Sequence, residues 1–113
     1  MKQINNIFDL CQWLVFSATN EELKKALEIK SVFSLNDDGQ FVTAEAFGAD
    51  GSYQVKISTF RRYRTNCSCP HHVFRLFPAM KRSFQVDSSV QPDPLICKHG
   101  LSVAIRFLQW SYK

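Results

Sequence analysis

The stretch Asn66-Cys67-Ser68-Cys69-Pro70, answered downstream by Ile96-Cys97-Lys98-His99-Gly100, decides how this chain folds. Two thiols one residue apart are followed, after a long intervening segment, by a thiol and an imidazole one residue apart. Together they supply the four soft or borderline ligands that a closed tetrahedral zinc site needs. One-residue spacing has a geometric reason, because side chains at i and i+2 of an extended segment point to one face. Each pair then chelates one ion without a helix or loop between its members. A helical pattern follows His99, and its N-terminus places partial positive charge beside Cys97, favouring the thiolate. The competing reading is four unrelated residues, two of them ordinary buried thiols.

The pattern Cys-x-Cys then Cys-x-His resembles the SWIM zinc finger, with Cys67, Cys69, Cys97 and His99 at the matching positions. An upstream strand pair feeding the first cysteine, here 41–58, is also typical of that family, and the resemblance covers about 32–110. The separation between the pairs, 70–96, is longer than in many bacterial members. It is closer in character to the aromatic-containing loop of the eukaryotic recombination members. Ser102 stands where a small residue, usually alanine, is expected. The resemblance implies a protein that binds DNA or a protein partner, such as a recombinase-like or transposase-like subunit. Spacing alone implies only a metal.

A chain of 113 residues is enough for one domain with one core. With 45% apolar and 21% charged residues it reads as globular, and 10 Phe point to an aromatic-rich core or interface. No window approaches a membrane span of about 18 apolar residues. The N-terminus lacks the continuous apolar centre of a signal peptide. The expectation is therefore an intracellular protein, where clustered cysteines favour metal over disulfides. Cys11 is left over and reads as a buried thiol. Charge is unevenly spread. Residues 1–53 carry eight carboxylates against four bases, whereas 54–113 carry ten bases against two carboxylates. A polyanion is the natural partner of the second half, and a solvated basic surface is the plainer reading.

Along the chain, Ile4, Ile7, Phe8, Cys11 and Leu14 form one stripe of an amphipathic helix, suited to core packing or to a partner. Thr19 and Glu22 have capping-box spacing ahead of a short second helix through Leu23, Ala26 and Leu27, although Asn20 also suits the cap. Three antiparallel strands follow. Val32, Phe33 and Leu35 lead to the turn Asn36-Asp37-Asp38-Gly39. Val42, Ala44 and Ala46 alternate with polar residues, and a second turn returns the chain into Tyr53, Val55 and Ile57. The last strand is expected to run on through Arg61, Arg62, Tyr63 and Arg64 toward Cys67. Pro78 is expected to stop a helical turn at 71–77, and 87–94 reads as an exposed loop. Gly100 to Lys113 is a final helix with Leu101, Ala104, Ile105 and Leu108 on one stripe, Trp110 falling in the core or at an interface.

The fold class expected is α+β: N-terminal helices, a three-stranded antiparallel meander and a C-terminal helix joined by a structural zinc site. Residues 1–30 form a helical segment and 31–113 the zinc-binding domain, in one compact unit. Four protein ligands, Cys67, Cys69, Cys97 and His99, leave no open position on one structural Zn2+ ion, so an enzyme is not expected. No small-molecule substrate or membrane partner is expected either. His71 or His72 could replace a ligand, serve behind one, or simply lie at the surface. Arg61, Arg62, Arg64, Lys81, Arg82 and Lys98 are the candidates for neutralising phosphate. For the first three the plainer reading is an edge strand protected by charge. Phe74, Phe77 and Phe84 read either as lids over the metal or, if exposed, as a protein-docking surface. The function expected is a zinc-binding accessory protein that contacts nucleic acid, a protein partner or both, in recombination, repair or transposition. The alternative is an adaptor with no DNA binding of its own.

Overall fold

The structure, a computed structural model, describes residues 6–36, 41–48, 51–59, 65–86 and 96–111. Helix α1 runs Ile7–Ser17 and starts where the Asn6 side chain accepts the Asp9 N–H. Its buried face is Ile7, Leu10, Cys11 and Leu14. Leu10, which the expected stripe omitted, is wholly buried, while Phe8 only packs against the rim. Helix α2, Asn20–Leu27, opens with the expected capping box. The Thr19 hydroxyl accepts the Glu22 N–H at 3.1 Å, and the Glu22 carboxylate accepts the Thr19 N–H at 2.9 Å.

The sheet has four strands rather than three: β1 Lys30–Asn36, β2 Phe41–Gly48, β3 Gly51–Ser58 and β4 Thr65–Cys67. They lie in the order β1-β2-β3-β4, and each neighbouring pair is antiparallel. The chain therefore does not continue straight from β3 to Cys67, as expected, but reverses and comes back. A strand of eight residues already spans the sheet, and further extension would leave its backbone unpaired, whereas a return strand pairs Val55 with Cys67. Arg61, Arg62, Tyr63 and Arg64 lie outside the described residues. Gly51 closes the β2–β3 hairpin at φ +131°, a conformation that L side chains rarely adopt.

Register is what positions the first half of the site. Phe33 faces Ala44, Ala44 faces Val55, and Val55 faces Cys67, so one row of side chains crosses all four strands on the covered face. Period-two alternation buries Thr65 and Cys67 and exposes Asn66 between them. Helix α4, Lys98–Ser111, lies over this face and touches all four strands as well as α1 and α2. The core is the space between, filled by Leu10, Val42, Ala46, Ile57, Val103, Ala104 and Phe107. Ser102 is buried within it, and its hydroxyl donates to the Ile29 carbonyl at 3.0 Å, tying α4 to the chain that enters β1.

Two expectations about the helices need correction. Pro78 does not end the helix in the long insertion. The chain is helical from Pro70, widens into a π-helical turn at His72–Leu76 and continues as α3, Phe77–Val86. In a regular helix the proline ring would strike the carbonyl four residues back. Here the Phe77 N–H bonds five residues back to the His72 carbonyl, and the widened turn admits Pro78. Trp110, expected first in the core and otherwise at an interface, is half exposed and leans edge-on against Phe33 at 5.9 Å, which corrects only the first. It caps the core rather than filling it. The loop expected at 87–94 lies outside the described residues, and none of the described helices is long and apolar enough to cross a membrane.

Candidate metal centre

The two cysteine-containing pairs arrive from different elements but are built alike at one end. Cys69 occupies the position before the helix that starts at Pro70. Its sulfur accepts the His72 N–H at 3.4 Å and its carbonyl accepts the Val73 N–H at 3.0 Å. Cys97 does the same for α4, with the Gly100 N–H on sulfur at 3.4 Å and the Leu101 N–H on the carbonyl at 2.9 Å. Each sulfur thus stands where a Ser or Asp side chain usually caps a helix, satisfying one of its unpaired N–H groups. Pro70 sits in the first helical position, where its fixed φ suits the helix and its missing N–H costs nothing. The one-face explanation for i and i+2 therefore fails for the second pair. Cys97 caps α4 and His99 lies in that helix's first turn, so both are brought to the site by the start of a helix.

The four groups meet as expected. One ligand atom from each of Cys67, Cys69, Cys97 and His99 lies within 4.8 Å of all the others, and all four residues are buried. A zinc tetrahedron with Zn–S bonds of about 2.3 Å has S···S edges of about 3.8 Å, so a small contraction closes the set around one ion. The His99 ring supports this fit. Its Nδ1 lies 4.0 Å from the Cys97 sulfur, and its Nε2 is buried without a hydrogen-bond partner among the described residues. A buried orphan nitrogen is costly unless something ligates it. The Tyr53 ring, 4.6 Å away, holds the imidazole from one side.

Electrostatics sharpen the picture. Cys97 is held well below the usual thiol range, chiefly by the hydrogen bond from Cys67 and also by the Gly100 N–H. Cys67 is pushed up by that same bond to Cys97 and by burial, and Cys69 is pushed up by burial. Three sulfurs this close cannot all carry charge without a cation among them, so one takes the charge and the others keep protons. A divalent ion reverses that preference by neutralising the sulfurs together. Cys11, by contrast, is pushed up to about 12 by burial alone and stands apart from the cluster in the α1 face of the core.

The remaining sequence candidates are scattered. His72 is buried beside the site but outside the four-ligand set, and His71 is exposed. Lys81, Arg82 and Lys98 are exposed on α3 and at the start of α4, whereas Arg61, Arg62 and Arg64 fall outside the described residues. Phe74 is 74% exposed and Phe77 lies at the margin, so neither roofs the metal as a lid would. The side chain of Phe84 is outside the described residues. Sequence reasoning passed over Ser68, whose hydroxyl and N–H continue the pairing with Gln54 and lock the loop between the first two ligands.

This is an α+β protein in which a buried Cys3His cluster, close enough to hold one metal ion, lies where a four-stranded antiparallel sheet meets the helix crossing it. Comparison with protein-family models, with curated proteins and with solved structures finds no match.

Proposed function

We propose that this chain is a non-enzymatic accessory protein in which one structural zinc fixes a basic surface for a nucleic-acid or protein partner. One observation carries the zinc assignment: among the described residues, one ligand atom from each of four buried side chains lies within 4.8 Å of all the others. Thiolate and imidazole donors in a tetrahedral set favour zinc over harder ions, and a filled tetrahedron leaves no place for substrate. The Cys-x-Cys and Cys-x-His wording supports membership of the SWIM zinc-finger family.

The nucleic-acid reading rests on charge. Residues 51–86 contain no carboxylate and seven bases. The described part of that stretch exposes Arg75, Lys81 and Arg82, with Lys98 exposed just beyond it. Beside the Cys67–Ser68 knuckle a hollow of about 370 Å³ is lined by Thr43, Gln54, Lys56, Asn66 and Val73, again without a carboxylate. Polyanion binding by such a surface releases counterions and weakens steeply with salt. A protein-only adaptor is favoured by a different observation, the exposure of Val73 and Phe74 on the π-helical turn. DNA recombination, repair or transposition is the setting that fits the family resemblance.

Fluorescence anisotropy with single- and double-stranded DNA across 50–200 mM salt separates the two. Binding that falls with salt and is lost on replacing Lys81, Arg82 and Lys98 with Gln supports the nucleic-acid reading. No binding at 50 mM salt leaves the adaptor.

A further inference from the structure

His72 is the most deeply buried imidazole of the chain, 1% exposed, and both of its ring nitrogens lack a hydrogen-bond partner among the described residues. A neutral imidazole carries one N–H donor and one acceptor. Burying both unmet is destabilising, and an apolar residue of the same size would fill the space without that cost. The position is also fixed. The His72 N–H holds the Cys69 sulfur at 3.4 Å, its carbonyl starts the π-helical turn, and its ring packs 6.5 Å from Phe77. An orphan ring donor thus belongs to the residue whose backbone N–H holds the Cys69 sulfur.

We propose that His72 is a positioning residue of the metal centre, its neutral ring N–H donating to a thiolate of the cluster when the ion is bound. This rests on the zinc reading above. A zinc ion with three thiolates and one neutral imidazole carries one net negative charge, and the sulfurs hold it in a dry site. Backbone N–H groups already serve all three: Cys69 N–H on Cys67, His72 N–H on Cys69, and Gly100 N–H on Cys97. The His72 ring would add a side-chain donor to that set. Charge-assisted bonds of this kind are stronger than neutral ones, and removal of such outer partners weakens metal affinity about 10–100-fold. Because His72 belongs to the π-helical turn that carries exposed Phe74, the same bond links the metal to the orientation of that surface.

The test compares wild type, His72→Phe and His72→Gln. Zinc affinity is measured by chelator competition, and the coordination set is read from the visible spectrum of the Co2+-loaded proteins. His72→Phe should bind zinc about 10–100-fold more weakly with an unchanged tetrahedral Cys3His spectrum, and His72→Gln, which keeps a donor, should recover most of the loss. Wild-type affinity in His72→Phe overturns the proposal. So does a Co2+ spectrum that loses a ligand, which would make His72 a ligand itself. Should His72→Phe not fold, the wild-type protein loaded with 113Cd decides: a coupling between the His72 ring proton and the metal, transmitted through sulfur, is expected. Its absence overturns the proposal. A wild-type protein that takes up neither zinc nor cobalt ends the zinc reading too, whereas normal uptake by all three proteins ends only the role of His72.

Discussion

Replacing Cys97 with serine separates two jobs that one sulfur performs. The serine hydroxyl still accepts the Gly100 N–H that Cys97 accepts at 3.4 Å, so the cap of α4 survives. The metal bond does not. Structural zinc contributes about 10–16 kcal/mol in finger peptides, so an even share over the four ligands is about 2.5–4 kcal/mol for each. That is a large part of the roughly 5–15 kcal/mol that holds a domain together. For a chain of this size each kcal/mol lowers the melting temperature by about 4 °C, which puts the expected loss at roughly 10–16 °C. The assay is circular-dichroism melting of wild type and Cys97→Ser, each with zinc and with a chelator. Chelation should lower the wild-type midpoint by at least as much as the mutation and change the mutant far less. A mutant that melts like wild type, together with a wild type indifferent to chelator, would refute the reasoning, because cap and packing would then suffice without an ion.

Other expectations follow from the same geometry. Metal affinity should rise with pH, because Cys67 and Cys69 are pushed up and hold their protons near neutrality while Cys97 has lost its own. Loading the ion then expels two thiol protons, and the logarithm of the apparent affinity should climb by about 2 per pH unit near pH 7; competition titrations at three pH values check the slope, and a flat profile would contradict it. Ser102→Ala removes the bond to the Ile29 carbonyl and leaves that oxygen buried, so urea unfolding should show a loss of about 1–3 kcal/mol at unchanged zinc stoichiometry. Phe74→Ala, at a site 74% exposed, should leave stability within about 0.5 kcal/mol of wild type, and a larger loss would mean that this ring packs into the core after all.

Much of this was legible because the physics was local. Val42, Ala44 and Ala46 alternate with polar residues, and that alternation fixes which face of β2 is covered. Thr19 and Glu22 announce the start of α2 through a box that closes within four residues. The ligands were legible for a similar reason, since paired thiols and a thiol–imidazole pair have few other uses in one short chain. What escaped depended on distant partners or on two roles sharing one atom. The return of the chain as β4 is decided by the open edge of β3, which leaves no mark around Arg61. The passage of Pro78 into α3 depends on a hydrogen bond lengthened to His72, and proline alone signals a stop. The capping role of Cys69 and Cys97 was hidden because sulfur is not counted among the usual capping atoms, although the Pro that follows Cys69 was a usable sign. Trp110 shows the limit of helical periodicity, which finds the apolar side of α4 but not where its neighbours end.

The most direct trial of the zinc-centred account is X-ray absorption at the zinc edge, with elemental analysis, on protein purified without chelator. One zinc per chain in a shell of three sulfurs and one nitrogen, with one sulfur lost in Cys97→Ser, is the predicted result. Metal-free protein that remains folded, or zinc bound with a water oxygen in its shell, would contradict it.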